Sequence, residues 1–491
     1  MRPTGLVVGA LIVGALLISS AWADPKHYLY QRTLRADENR SFSFLGLLDD
    51  GAEVESGQFE QKLNHLDLDD SEAERDKRPR TFAQRYYINS QYATDAANAP
   101  VIYIICGEGS CGEGEVKGVT MSRYAKALGA HLVALEHRYY GKSQPFKLLT
   151  GENLRFLTTQ NALADLNAFQ KNLQKTRGWQ GPWIAVGGSY AASLAAYYRQ
   201  KYPQNVVGAL ASSGPVQAKA AFEEYDLTVF TVAGSDCVAN MRKVVAAAEK
   251  AMADAETAQA FKTRFQAQEV REAIDFLYVI ADQASIAVQY GKRDEFCAAL
   301  EEAGDDLQAL IDAYAKKGKE MFDWFGITAV QDSYQGSESL DAADYEEGVG
   351  MRQWVYQTCS EYGYFQVAYR DPAKSARSSR ITLPYHFEVC ERLFGLKKPL
   401  DEKLTNEKYY LPLLNEKDAA TKNILLTNGA NDPWAMLSIT KELGNDTNPN
   451  LLSLMIPGAS HCEDLTSRMG TELEKVRDLT LALFQKWVAR E

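Results

Sequence analysis

Short apolar runs alternate with segments of helical period along the first two hundred residues. Val101–Ile105 (VIYII) reads as a buried strand that runs into the glycine-rich loop Cys106-Gly107-Glu108-Gly109-Ser110-Cys111-Gly112. His131–Glu136 (HLVALE), Trp183–Val186 and Val206–Ala211 read as further strands. Thr159–Leu173 has apolar residues at helical spacing, with Thr158 or Thr159 as N-cap, and Ala191–Tyr202 is a helix stopped by Pro203. Strand, helix, strand in this rhythm predicts parallel βαβ units.

After Pro215 the rhythm changes. Residues 216–410 are mostly helical in pattern, with Val244–Ala260 and Asp305–Lys317 as examples and Gly318 as the stop of the second. The α/β pattern resumes at Asn423–Thr427 (NILLT) and Leu451–Ile456 (LLSLMI), and an amphipathic helix over Glu472–Arg490 closes the chain. A length of 491 residues allows about three domains at roughly 150 residues each. The pattern reduces this to one α/β domain (residues 24–215 and 411–491) interrupted by a helical insertion at 216–410. An insertion between late strands is expected over the carboxyl edge of the sheet, where open α/β sheets bind ligands.

Residues 1–23 read as a signal peptide. Arg2 supplies the positive start, Leu6–Ile18 the apolar run and Ala21-Trp22-Ala23 the cleavage pattern, which makes Asp24 the first mature residue. The run of about 13 residues falls short of the roughly 20 that span a bilayer, so no membrane association is expected after cleavage. Export places the chain in the secretory pathway, secreted or lysosomal/vacuolar, and makes disulfides available. The seven cysteines (106, 111, 237, 297, 359, 390 and 462) leave at least one without a partner in the chain. No C-x-x-C occurs and the histidines are scattered, so no metal site is expected. Sequons stand at Asn39 and Asn445.

Composition excludes more than it identifies. An apolar fraction of 46% is too high for a disordered chain, and a mean hydropathy of -0.32 excludes a polytopic membrane protein. With 53 basic and 65 acidic residues the net charge is -12, which argues against a nucleic-acid partner.

The sharpest chemical signal is Trp183-Ile184-Ala185-Val186-Gly187-Gly188-Ser189-Tyr190-Ala191-Ala192. It passes from strand through Gly-Gly-Ser into helix, the context of a nucleophile elbow, where the residues flanking the serine must be small. The alternative is an ordinary βα turn with Ser189 as N-cap. A serine needs a base, and in this fold the order is Ser, acid, His. Two histidines follow Ser189: His386, inside the helical insertion, and His461, in the loop after LLSLMI. His461 is the candidate base. Asp432, in the loop after NILLT, is the candidate acid that orients it, while Glu463 and Asp464 lie too close to His461 in sequence for that task. For the oxyanion hole, the amide of Tyr190 supplies one donor and the loop after VIYII a second, with Gly107, Glu108 and Gly109 as candidates. These pieces together indicate a serine hydrolase acting without metal or organic cofactor. An esterase or lipase, or a catalytically silent binding protein on the same scaffold, remains an alternative.

Several segments then resemble one family of serine peptidases, that of lysosomal Pro-X carboxypeptidase, dipeptidyl peptidase II and thymus-specific serine protease. They are His137-Arg138-Tyr139-Tyr140-Gly141-Lys142-Ser143, Gly187-Gly188-Ser189-Tyr190, Asn428-Gly429 with Asp432-Pro433-Trp434, and Ser460-His461-Cys462. The segment Arg352–Gly363 (RQWVYQTCSEYG) and the His-Cys pair are most similar to the thymus-specific branch. The resemblance implies an α/β-hydrolase fold with a helical cap, Ser189, Asp432 and His461 as the triad, and exopeptidase cleavage of short peptides, often after proline. It implies Trp434 as an S1 wall and the segment Gln353–Tyr364, with Gln357, as facing the substrate. HRYYGKS and His65 read as structural. Topology and resemblance together suggest the disulfides Cys237–Cys297, Cys359–Cys390 and Cys106–Cys111, with Cys462 left over. A homodimer is left open. Two departures stand out: Ala192 replaces the last glycine of Gly-Gly-Ser-Tyr-x-Gly, and Ala435-Met436-Leu437-Ser438 follows Asp-Pro-Trp where many relatives have glycines.

Overall fold

A strand buried on both faces needs no alternation of apolar and polar side chains, and the central strands of this chain have none. The computed structural model describes residues 51, 53–66, 78–398 and 400–489; the expected signal peptide, the Asn39 sequon and most of the charged stretch after Asp67 lie outside them. Ten strands follow in chain order: β1 (Glu55–Lys62), β2 (Thr81–Asn89), β3 (Val101–Ile105), β4 (His131–Leu135), β5 (Trp183–Gly188), β6 (Gly208–Ser212), β7 (Lys219–Ala221), β8 (Gly363–Phe365), β9 (Ile424–Gly429) and β10 (Leu451–Ile456). Eight of them form one sheet in the order β1-β2-β4-β3-β5-β6-β9-β10, and β7 and β8 pair separately. From β4 to β10 every neighbour is parallel; β1 and β2 join antiparallel at one edge. This is the α/β-hydrolase fold.

Alternate residues of each strand serve opposite cores. Val101, Tyr103 and Ile105 pack with Leu163, Phe169 and Leu194 of the helices Thr159–Arg177 and Tyr190–Lys201. Ile102 and Ile104 pack with Tyr124, Phe484 and Trp487 of the helices Val119–Leu128 and Thr471–Val488. The Thr158 side chain caps the first of these helices by accepting from the Asn161 amide.

Between β6 and β9 the chain is mainly helical, as its pattern predicts, with two corrections. The continuous helix expected over Val244–Ala260 is broken: Ser235–Ala251 ends and Asp254 caps a second helix, Ala255–Arg264, accepting from the amides of Glu256 and Thr257. Gly318 does not stop its helix, which runs from Leu307 to Phe325 and ends at Gly326 with φ 79°. A Cβ on Gly318 would lie 2.2 Å from Gln283 Oε1, so this glycine admits a neighbouring helix. The three disulfides are Cys106–Cys111, Cys237–Cys297 and Cys359–Cys390, and Cys462 is free and buried. At the Asn445 sequon the side-chain amide already donates to Ser438 O at 2.7 Å, a bond a glycan on that nitrogen would contest.

HRYYGKS is structural. Arg138 is fully buried and grips Asp165 through Nε (2.7 Å) and Nη2 (2.6 Å), while Nη1 donates to the carbonyls of Leu63 and Phe156. His65 closes on the same carboxylate at 2.8 Å. Arg138→Met strands Asp165 without its main counter-charge. It should cost about 3–5 kcal/mol of stability, read from urea unfolding.

Candidate active site

Four loops leave the carboxyl edge of the sheet after β3, β5, β9 and β10, with β6 between β5 and β9. The turn after β5 is the tightest. A Cβ on Gly187 would meet Ala191 O at 2.2 Å, and one on Gly188 would meet Leu465 Cδ1 at 3.0 Å and Cys462 Sγ at 3.2 Å. Ser189 takes φ 58° and ψ -131°, a conformation L residues rarely adopt, and its amide is held by Ser212 O at 2.9 Å. The helix begins at Tyr190, so the Tyr190 N–H has no intrahelical acceptor. The methyl of Ala192 is accommodated opposite Gly214, where an added Cβ would approach it to 3.0 Å.

Asp432 ends the loop after β9, with Pro433 opening a short 3₁₀ turn. Its Oδ1 accepts from the Trp434 amide at 3.0 Å, and its Oδ2 pairs with His461 Nδ1 at 2.7 Å. Both side chains are fully buried. His461 is fixed from two further sides: its amide donates to Gln289 O at 2.9 Å, and its ring meets Tyr290 edge-on at 5.8 Å. Burial pulls the imidazole toward neutrality, but the Asp432 carboxylate, with Cys462 adding, pulls harder and raises its pKa well above the ordinary value. The competing carboxylates are engaged elsewhere: Asp464 accepts from Ser212 Oγ and from Thr427 Oγ1 at 2.7 Å, and Glu463 pairs with Arg468. His386 is buried with Nδ1 on the Tyr334 hydroxyl at 2.6 Å, and burial with nearby Arg377 lowers its pKa to about 3.

The loop after β3 is clamped by the helical segment. Ser110 N donates to Gly348 O (2.9 Å), and Gly350 N donates to Glu108 O (3.0 Å). Gly107 lies against the start of the 190–201 helix, 3.5 Å from Ala191 Cβ if a Cβ is built on it. Glu108 lines the cavity beside Ser189, and burial raises its carboxyl pKa against the opposing pull of a backbone hydrogen bond and of His461.

That cavity, about 170 Å³, is lined by Ser189, Tyr190, Glu108, Trp354, Tyr364 and Trp434 among others. An apolar void of ~150 Å³ holds a benzene-sized group, so this one has room for a side chain or two. Trp434 lines it as expected, its ring braced by Phe222, Tyr225 and Tyr364 and its Nε1 on Gln289 Oε1 at 2.9 Å. Gln357 does not line it. It is wholly buried, donating to the Tyr190 hydroxyl at 2.7 Å and accepting from Tyr140, so it positions the aromatic residue after Ser189. Gln289 and Tyr290, which hold His461 and Trp434, carry no sequence signal: they end a long apolar helix, Ala273–Gln289. Among the described residues, no cluster of three or more His, Cys, Asp or Glu side chains is arranged to hold a metal ion.

Residues 68–480 match the family described as serine carboxypeptidase S28. The chain belongs to this family. The chain is 31% identical to the thymus-specific serine protease of Mus musculus over 96% of both chains. It is 34% identical to the probable serine protease EDA2 of Arabidopsis thaliana over 77% of this chain and 74% of that one. A shorter match, 39% identical over 32% of this chain and 31% of the other, is to the lysosomal Pro-X carboxypeptidase of Mus musculus. Membership of the S28 family makes this chain a serine peptidase on an α/β-hydrolase fold. Among the described residues, no helix is long and apolar enough to cross a membrane.

Proposed function

We propose that this chain is a serine exopeptidase that hydrolyses short peptides through Ser189, His461 and Asp432, with proline or a small apolar residue at P1. One observation carries the reading: a serine on a positive-φ strand-to-helix turn lines a cavity at the sheet edge that also carries a buried histidine already paired to a carboxylate. His461 takes the Ser189 proton as the hydroxyl attacks the scissile carbonyl. Asp432 holds Nδ1 in place and favours the imidazolium that forms. The oxyanion rests on the Tyr190 amide and on an amide of the Gly107-Glu108-Gly109 loop. His461 then protonates the leaving amine, and water repeats the sequence on the acyl-enzyme. No step uses a metal or organic cofactor.

The small cavity favours short substrates, and its walls of Trp434, Tyr225 and Tyr364 suit a pyrrolidine ring. Trp434→Ala should raise KM for a prolyl substrate about tenfold with a smaller effect on kcat, because it removes contact area and leaves the reacting groups in place. Three disulfides fit a secretory-pathway enzyme, secreted or lysosomal/vacuolar.

The test is a fluorophosphonate label followed by peptide mapping, run beside a peptide-library digest read by mass spectrometry. An adduct on Ser189 with cleavage near a peptide end supports the proposal. Labelling with turnover of esters alone would replace it with an esterase, and no adduct on Ser189 would overturn the nucleophile.

A further inference from the structure

One short stretch of the helical insertion, residues 348–357, reaches both groups that can supply oxyanion donors. Gly109 and Val349 pair as a single antiparallel rung, closed by Ser110 N on Gly348 O at 2.9 Å and Gly350 N on Glu108 O at 3.0 Å. The rung fixes the peptide planes on both sides of Gly109, because each has one polar group bonded. A trans peptide points its N–H opposite its carbonyl, so the bonded Glu108 carbonyl also sets the direction of the Gly109 N–H. The Ser110 amide is spent on the rung, which leaves the amides of Gly107, Glu108 and Gly109 to face an oxyanion.

The same stretch holds the other donor by a side chain. The Tyr190 hydroxyl accepts from Gln357 Nε2 at 2.7 Å, and the Tyr190 ring packs on Trp354 with centroids 5.4 Å apart. His137 Nε2 lies 3.1 Å from the same hydroxyl on the side of the sheet. Tyr190 opens its helix, so a rotation that re-aims its amide must also swing its ring. A ring pinned at its far end resists that rotation. The stretch is itself anchored. Arg352 is buried and donates to the carbonyls of Leu149 and Ser337, each at 2.7 Å, and Gln353 Nε2 donates to the Tyr139 carbonyl at 2.8 Å. An apolar side chain at 357 could fill the same space. A buried glutamine bonded at both ends to tyrosine hydroxyls fixes a direction as well.

Resting on the serine-peptidase mechanism above, we infer that residues 348–357 set the geometry of the oxyanion hole, with Gln357 a positioning residue that acts through Tyr190. Oxyanion donors work because they are placed before charge develops, and a hydrogen bond weakens steeply as its angle degrades. The donors meet full charge only in the transition state, so loss of their placement falls on kcat and spares KM. The helical insertion then does more than roof the cavity: it completes the hole from above.

Two variants approach the contact from opposite ends. Gln357→Met keeps the side-chain length and removes both hydrogen bonds; Tyr190→Phe removes the hydroxyl and keeps ring and amide. Rates are expressed per active site, counted by end-point fluorophosphonate labelling, so that unfolded molecules drop out. Loss of a whole oxyanion donor costs about 10²–10³ in kcat, so misplacing one should cost about ten- to a hundredfold, with KM within about threefold. The double variant should be no slower than the slower single variant by more than about twofold, because both changes break one contact. A dipeptide ending in prolinal, whose adduct with Ser189 puts its oxygen in the hole, should lose affinity in step with kcat. The same dipeptide ending in prolinamide should bind as before. A kcat per site within twofold of the unaltered protein, or aldehyde and amide weakening together, would overturn the inference and leave Gln357 a packing residue. If Gln357→Met does not fold, the same split in Tyr190→Phe decides. Failure of the peptidase reading looks different: the unaltered protein would hydrolyse p-nitrophenyl acetate and no peptide. Ester hydrolysis passes through the same oxyanion, so the ester rates of the variants would still support or overturn the positioning role.

Discussion

Ser189→Ala should lower kcat by about a million-fold and leave the protein folded. Ser189 is 9% exposed, lines the cavity and caps nothing with its side chain. Removing its Oγ therefore opens no core void and strands no buried partner. Alanine meets the same φ of 58° with the same Cβ, so the backbone strain is unchanged. Stability should change by no more than a surface substitution changes it, about 0.5 kcal/mol. The measurement is steady-state hydrolysis beside a thermal melt. A variant that keeps more than a few percent of the activity would move the nucleophile elsewhere. A variant that loses both activity and its melt would say only that the turn had collapsed, and Ser189→Cys then separates the two cases because it retains a nucleophile of similar shape.

The site was legible in the sequence where chemistry and chain order constrain each other. Gly187, Gly188 and Ser189 could be read because a turn this tight admits only small neighbours, and the clearances at both glycines agree. His461 and Asp432 could be read because each follows a strand whose apolar run is unmistakable. The same logic failed where one residue type serves two purposes. Gly318 looks like a helix stop, yet it is there to let Gln283 close on the helix, while the true stop, Gly326, takes the left-handed conformation. β1 is an edge strand and is mostly polar and exposed, and β2, between β1 and β4, mixes Gln84, Arg85 and Asn89 among its apolar residues, so neither gave an apolar run to notice. Gln357 illustrates a third limit. Its segment does reach the site, but whether an amide points at a ligand or at two tyrosine hydroxyls depends on side-chain direction, which spacing along the chain does not encode.

Asp432→Asn should cost about 10⁴ in kcat, and its pH profile should carry the more specific signal. Asparagine keeps the size of the side chain and an oxygen for the Trp434 amide, so the turn can form. It loses the charge opposite His461 Nδ1 and can present an amide nitrogen there, which favours the wrong tautomer. In the unaltered protein burial lowers the affinity of His461 for a proton, and Asp432 and Cys462 together more than offset it. As the proposed base, His461 should therefore stay protonated, and the enzyme inactive, up to a pH above that of an ordinary histidine. kcat/KM should rise as pH climbs through that value. With Asp432 neutralised, the largest upward pull is gone and burial remains. The acid limb should then move to lower pH even as the maximum falls. Asp464→Asn, whose carboxyl serves Ser212 and Thr427, provides the comparison and should leave the limb in place. A limb that stays put in Asp432→Asn would mean that the group controlling the rate is not the histidine bound to that aspartate. The large drop in kcat would then have to come from loss of geometry alone.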